Sequence, residues 1–312
     1  MRTLATALVA GFCLLPAAAS AQRAAGAPPV RVEPPIATEI FETVEQVPVA
    51  VKLLDGRRAS GNIIVTHFKP AGTGPFPAVI VNHGRAQAGH LGDVPRFRLL
   101  GVVRYWTSRG FAVFVPTRLG YGETGQDVDP EFAGPCNRRD YSHSVAQAGQ
   151  QVIEAIRFAQ SQPFVAADRV IVTGTSMGGF TTTYVNGRNV PGVVAAINFA
   201  GGVGGNPALR PGNPCDEPSL ARAFTAAGKG AQPPMLWLYS ENDRFWGADL
   251  PRRWHQAYVA AGGKAEFVSL PAIGADGHGA MITGGVHWRP AVDDFLTRLG
   301  FAWAGGKRPP PQ

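Results

Sequence analysis

Long hydrophobic runs are missing from the body of this sequence. No stretch reaches about 18 uninterrupted apolar residues, which excludes a membrane-spanning helix there. Cysteine is scarce, with three in 312 residues. No cysteines, histidines or carboxylates recur at the spacing of a metal site, so no metal or other cofactor is expected. Basic residues are scattered, with no Lys/Arg run and no aromatic interleaving. A nucleic-acid partner is therefore not expected, despite a formal net charge of +7. Internal repeats are lacking, and so is any linker long enough to divide the chain. That leaves room for one large α/β domain.

The first residues read as a leader. Arg2 supplies a positive start, residues 4–15 are apolar, and Ala19-Ser20-Ala21 is a small-residue cleavage signal. We expect a signal peptide over 1–21, cleavage near Ala21, and a periplasmic or secreted product that does not engage the membrane. Without Arg2 the net charge is +6, from 28 basic and 22 acidic residues. Residues 22–45 read as a flexible N-terminal segment, 46–304 as the domain and 305–312 as a flexible tail. Cys136 and Cys215 survive cleavage. An even pair in an exported protein reads as a disulfide, with two free thiols as the alternative.

Eight apolar, β-branched runs mark strands at 47–54, 62–68, 78–82, 111–116, 169–174, 193–199, 235–240 and 265–270. Helical patterns lie between most of them, at 97–109, 145–160, 219–227 and 250–261, with a closing helix at 288–299. This alternation predicts a mostly parallel eight-stranded sheet with helices on both faces. The first two strands lack an intervening helix and should form an edge hairpin. Two long irregular stretches, 117–140 and 201–234, follow the fourth and sixth strands, and each holds one of the cysteines. A bridge between them would fix the mouth of a pocket on that side of the sheet.

Chemistry concentrates at Gly174-Thr175-Ser176-Met177-Gly178. The run before it is an apolar strand, and Gly179 opens a helical stretch. Strand, turn and helix together are the context in which G-x-S-x-G exposes a nucleophilic serine. A serine hydroxyl is a weak nucleophile at neutral pH. It needs a base, and the base needs an orienting acid. The order serine, acid, histidine is satisfied downstream. Asp243 follows the seventh strand, 67 residues after Ser176, and His278 follows the eighth, 35 residues later. Glu241 rivals Asp243, and His287 rivals His278. Upstream, Asn82-His83-Gly84-Arg85 ends the third strand, and its glycine permits close backbone approach to a reacting carbonyl. The backbone N–H groups of Met177 and Arg85 are the candidate oxyanion donors. The segment from Arg118 through Tyr121 to Glu123 reads either as pocket lining or as a glycine-rich turn, and Trp246 as pocket wall or core.

These motifs together resemble the α/β-hydrolase superfamily, and within it the dienelactone-hydrolase-like serine esterases. The carriers are His83-Gly84, the run from Gly174 to Gly179, Asp243 and Gly277-His278-Gly279, and the likeness spans about residues 60–300. It implies an α/β-hydrolase fold and a hydrolase acting on a small-molecule ester. Dienelactone hydrolases proper use a cysteine nucleophile where this chain has Ser176, so the likeness does not extend to dienelactone as substrate. The expectation is an exported serine hydrolase with Ser176, His278 and Asp243 in the triad. A secreted peptidase or amidase of the prolyl-oligopeptidase-like branch, and an inactive binding protein on the same scaffold, are the alternatives.

Overall fold

Short β-branched runs bounded by Gly and Pro build eight strands. They are β1 (Thr43–Lys52), β2 (Arg58–Phe68), β3 (Phe76–Asn82), β4 (Ala112–Thr117), β5 (Val165–Thr175), β6 (Val193–Phe199), β7 (Met235–Ser240) and β8 (Ala265–Leu270). The helices are α1 (Leu100–Thr107), α2 (Tyr141–Gln160), α3 (Met177–Asn186), α4 (Glu217–Gly228), α5 (Asp249–Ala260), α6 (Ala280–Thr283) and α7 (Gly285–Arg298). The computed structural model describes residues 35–86, 91–92, 96–124 and 128–301. The expected signal peptide at 1–21 and the tail at 305–312 lie outside the described residues.

The strands form one sheet in the order β1-β2-β4-β3-β5-β6-β7-β8. The expected edge hairpin is β1–β2. Both the β1–β2 and β2–β4 pairings are antiparallel, and all others are parallel. Alternate side chains of each strand enter opposite layers, as strand geometry requires. Val79, Val81, Val113 and Ile171 join Trp106 of α1 and Trp288 of α7 on one face. Ala78, Ile80, Phe114 and Val172 join Val152 and Ile156 of α2 on the other. Farther along that second face, Trp237 of β7 meets Phe224 of α4 and Tyr258 of α5. Both faces are thus covered, which is why the central strands read as continuous apolar runs.

β1 begins inside the segment 22–45 that was expected to be flexible. Glu42 explains the difference. Its buried carboxylate accepts N–H bonds from Ile36 and Ala37 at 2.8 Å each, and pairs with Arg96 at 2.9 Å and Arg98 at 3.0 Å. Burial alone would raise this carboxyl. The two backbone donors and the two guanidiniums outweigh it and hold the pKa down to about 2.

The order of β4, β3, β5 and β6 positions the site. From β3 the chain moves outward to β4, then returns to β5 on the opposite side of β3. The winding reverses between β3 and β5, and ligands in open α/β sheets bind outside the carboxyl ends of the strands at such a reversal. The loop after β3 holds His83, Gly84 and Arg85, and the turn after β5 holds Ser176.

Candidate active site

Ser176 is the residue between β5 and α3, with φ 55° and ψ −124°. Left-handed backbone is uncommon for a residue with a side chain, and it persists only where the surroundings enforce it. Here they do. The Ser176 N–H donates to the carbonyl of Phe199 at 3.0 Å, and the Ser176 carbonyl accepts from Gly202 at 3.1 Å and Phe180 at 2.9 Å. Glycine at 174 and 178 is dictated by space. A Cβ on Gly174 would lie 2.7 Å from Asn82 Cβ, and one on Gly178 would lie 2.5 Å from the carbonyl oxygen of His83. Met177 is the first residue of α3, so its N–H has no partner within the helix and sits at the positive end of the helix dipole.

The loop after β3 lies over this turn. A Cβ on Gly84 would be 3.3 Å from Ser176 Cβ, so the backbone just before Arg85 lies against Ser176. The Arg85 guanidinium bonds bidentately to Asp129 and also pairs with Glu131. His83 is buried and stacked on Phe97, with ring centroids 3.8 Å apart. Its Nδ1–H donates to Gly84 O at 2.6 Å, and its Nε2 accepts from the Arg118 N–H at 3.2 Å. Burial, reinforced by the Arg118 charge, holds its pKa well below the ordinary value. A neutral, fully engaged ring of this kind braces the loop.

Asp243 lies three residues beyond β7 with its side chain fully buried. Its Oδ1 accepts the N–H groups of Phe245 at 2.8 Å and Trp246 at 3.2 Å. His278 sits in a 3-10 turn, Gly277–Gly279, after β8. Its Nδ1 lies 3.1 Å from Asp243 Oδ1 and 3.0 Å from Oδ2. A carboxylate only accepts, so Nδ1 carries the hydrogen, and in the neutral imidazole Nε2 presents a lone pair. Nε2 is buried and has no hydrogen-bond partner, so it is not bonded to the Ser176 hydroxyl in this structure. The two residues are linked through intermediates. A Cβ on Gly202, which bonds to Ser176, would meet Trp246 at 2.8 Å, and Trp246 stands edge-on to His278 at 5.4 Å.

Several features fall outside what the sequence indicated. Phe245 stacks flat on the His278 ring at 3.9 Å and 20°. Its place two residues after Asp243 was the available signal. Asp276 is engaged by backbone donors. Its Oδ1 accepts the N–H groups of Arg244 at 3.1 Å and His278 at 3.0 Å, tying the acid loop to the histidine loop. Glu241 and His287 are exposed. Trp246 is buried and donates to the Ala200 carbonyl at 2.8 Å. Arg118 and Tyr121 are buried as well. Cys136 and Cys215 form a disulfide with Cα atoms 4.8 Å apart. Among the described residues no cluster of His, Cys, Asp and Glu could hold a metal ion, and no helix is long and apolar enough to cross a membrane.

A family model described as the dienelactone hydrolase family matches residues 64–279. No curated protein matches the chain. Among solved structures, Pyrococcus horikoshii acylaminoacyl peptidase is similar at 16% identity and a TM-score of 0.58, covering 86% of this chain and 44% of the peptidase. Porphyromonas gingivalis dipeptidyl peptidase 4 is similar at 16% identity and 0.53, covering 82% and 35%. A thermophilic esterase from Thermogutta terrifontis is similar at 18% identity and 0.54, covering 84% and 95%. The chain spans less than half the length of the two peptidases, and at these identities the likeness is one of fold.

Proposed function

This chain belongs to the dienelactone hydrolase family, and from that premise we propose an exported serine hydrolase that cleaves carboxylic esters, with Ser176, His278 and Asp243 as its triad. The observation that carries the reading is the Asp243–His278 pair, whose free Nε2 lone pair lies at the same end of the sheet as the strained Ser176 turn. The hydroxyl attacks the ester carbonyl and its proton passes to Nε2. Asp243 holds the Nδ1 hydrogen and stabilises the imidazolium. The N–H groups of Met177 and Arg85 receive the oxyanion, each worth about 3–4 kcal/mol in comparable sites. The C–O bond then breaks as Nε2 returns the proton to the leaving alkoxide. A water, deprotonated by Nε2, cleaves the acyl-enzyme, releases the acid and restores Ser176. The open Ser176–His278 contact suits this sequence, since catalytic hydrogen bonds tighten when substrate binds.

The test is a fluorophosphonate probe with p-nitrophenyl esters of increasing chain length, on the wild type and on Ser176→Ala. Wild-type labelling and turnover, both lost in Ser176→Ala, are expected. Labelling that survives the substitution would move the nucleophile elsewhere. An amide substrate is the second reading, favoured by the fold shared with an acylaminoacyl peptidase. Aminoacyl anilides in the same screen separate the two. Export is supported by the leader residues and by a disulfide, which persists in oxidising compartments. A mature N-terminus at Gln22 in exported material is the expected result.

A further inference from the structure

The stretch between β4 and α2 contributes a charge cluster that the reaction above leaves unused. Arg118 and Glu131 have side chains with no solvent exposure. Arg118 Nε donates to Glu131 Oε1 at 2.5 Å, Tyr121 OH donates to Oε2 at 2.6 Å, and Arg85 Nη1 approaches Oε2 at 3.4 Å. Asp129 takes the other side of the Arg85 guanidinium. Burial pushes the Glu131 carboxyl up, but the Arg118 and Arg85 charges outweigh it and hold it below its ordinary value. It is therefore a carboxylate at neutral pH.

Buried ion pairs are a poor source of stability, because desolvation of the charges consumes most of what the pairing returns. Two cations and a carboxylate kept inside a fold invite another explanation, and the contacts supply one. Arg118 does not end at Glu131. Its Nη1 donates to the carbonyl of His83 at 3.0 Å, and its own N–H donates to the His83 ring. Arg85 is gripped from its side chain. Both residues flanking Gly84, the residue that lies against Ser176, are thus fixed by one cluster centred on Glu131. The loop itself leaves β3 at Asn82 and has no helix or strand of its own over 83–85.

We propose that Glu131, through Arg118 and Arg85, is a positioning residue that sets the loop 83–85 so that the Arg85 N–H points at the developing oxyanion. This rests on the serine-hydrolase reading above. A donor must lie within about 2.7–3.1 Å of the oxyanion to contribute, so a small slip of this loop costs transition-state binding while leaving ground-state binding almost untouched.

The experiment uses the mature protein and two variants. Glu131→Gln keeps the shape and removes the charge. Asp129→Asn alters a partly exposed residue, loosens Arg85 and keeps an amide oxygen to accept the Glu131 N–H, so it reports even if Glu131→Gln fails to fold. Readouts are kcat and KM on p-nitrophenyl acetate, Tm, and the inhibition constant of a trifluoromethyl ketone, whose tetrahedral adduct places an oxyanion in the same position. For Glu131→Gln we expect kcat to fall ~10–100-fold, KM to stay within about threefold, and ketone affinity to weaken by the same factor as kcat. Asp129→Asn should move the same quantities by ~3–10-fold. Folded variants with unchanged kcat and unchanged ketone affinity overturn the positioning role, as does a lowered Tm with normal turnover. A wild type that neither hydrolyses esters nor labels with fluorophosphonate overturns the hydrolase reading, and the positioning role with it.

Discussion

Replacing Cys136 and Cys215 together by serine should lower the melting temperature by about 8 °C and leave kcat/KM within about threefold. The bridge spans a sequence separation of 79. In the chain-entropy account, closing a loop of that size removes about 4.5 kcal/mol of freedom from the unfolded state. A domain of roughly 270 residues melts with an entropy near 0.6 kcal/mol per degree, which converts that loss to about 8 °C. The native state should barely change, because the two segments are held together without sulfur. Arg139 N–H donates to Asp216 at 2.8 Å, the Ser219 hydroxyl to Arg139 O at 2.8 Å, and Tyr141 OH to Cys215 O at 2.6 Å. Cys215 is buried, so a serine there also buries a hydroxyl, and wild type reduced by a phosphine is the cleaner sample. Calorimetry on oxidised and reduced protein, with thiols counted by a chromogenic disulfide, measures the shift, and initial rates measure kcat/KM. A shift under about 2 °C with both thiols confirmed free would refute the entropic reasoning. A large rise in KM would refute the claim that the hydrogen bonds suffice.

Other outcomes follow from the same geometry. His278→Ala should reduce ester turnover by several orders of magnitude, as loss of a triad base does, whereas His287→Ala on the exposed face of α7 should cost little; the reverse ranking in steady-state rates would reassign the base. Gly178→Ala should destabilise the fold by about 1–3 kcal/mol and depress activity, because the added methyl meets the backbone oxygens of Asn82 and His83; an unchanged denaturant midpoint would show that β3 yields there. Glu42, with its pKa held at about 2 against an ordinary 4.5, contributes about 3 kcal/mol that is present in full above pH 4.5 and disappears as pH falls toward 2. Glu42→Gln should therefore lower stability at pH 7 and flatten its decline below pH 4.5, and parallel acid-unfolding curves for the two proteins would contradict this.

Legibility in the sequence followed locality. β6, β7 and β8 have the bounds that the sequence suggests, because Pro191-Gly192, Pro233-Pro234 and Gly262-Gly263 punctuate short apolar runs. β1, β2 and β5 start at Thr43, Arg58 and Val165 rather than at Val47, Asn62 and Arg169. In β1 and β2 these first residues are largely polar and exposed, in β5 they are mostly small, and all become strand through partners such as His67 for Thr43 and Phe76 for Val165. α2 starts at Tyr141 rather than Val145, and its cap, Asp140 accepting from the His143 N–H, was readable as a start signal. The Ser176 turn is contiguous in sequence and so announces itself. The Glu131 cluster does not, because its partners lie 13 and 46 residues away and isolated charges read as solvated surface. Glu42 escaped for the same reason, with its arginines 54 and 56 residues distant.

Under the proposed triad, the left-handed backbone at Ser176 sets reactivity against durability. A β-carbon in that region costs roughly 1–2 kcal/mol relative to glycine, and every folded copy carries the penalty whether or not it meets a substrate. Selection for heat resistance alone would drive position 176 toward glycine and yield a sturdier, inert molecule. The alanine used to silence such a site keeps the penalty and discards the hydroxyl. A thermostability screen on this chain, run without an activity filter, would therefore tend to enrich for its own loss of chemistry. The residue most worth fixing during engineering is one that a stability score would be the first to replace.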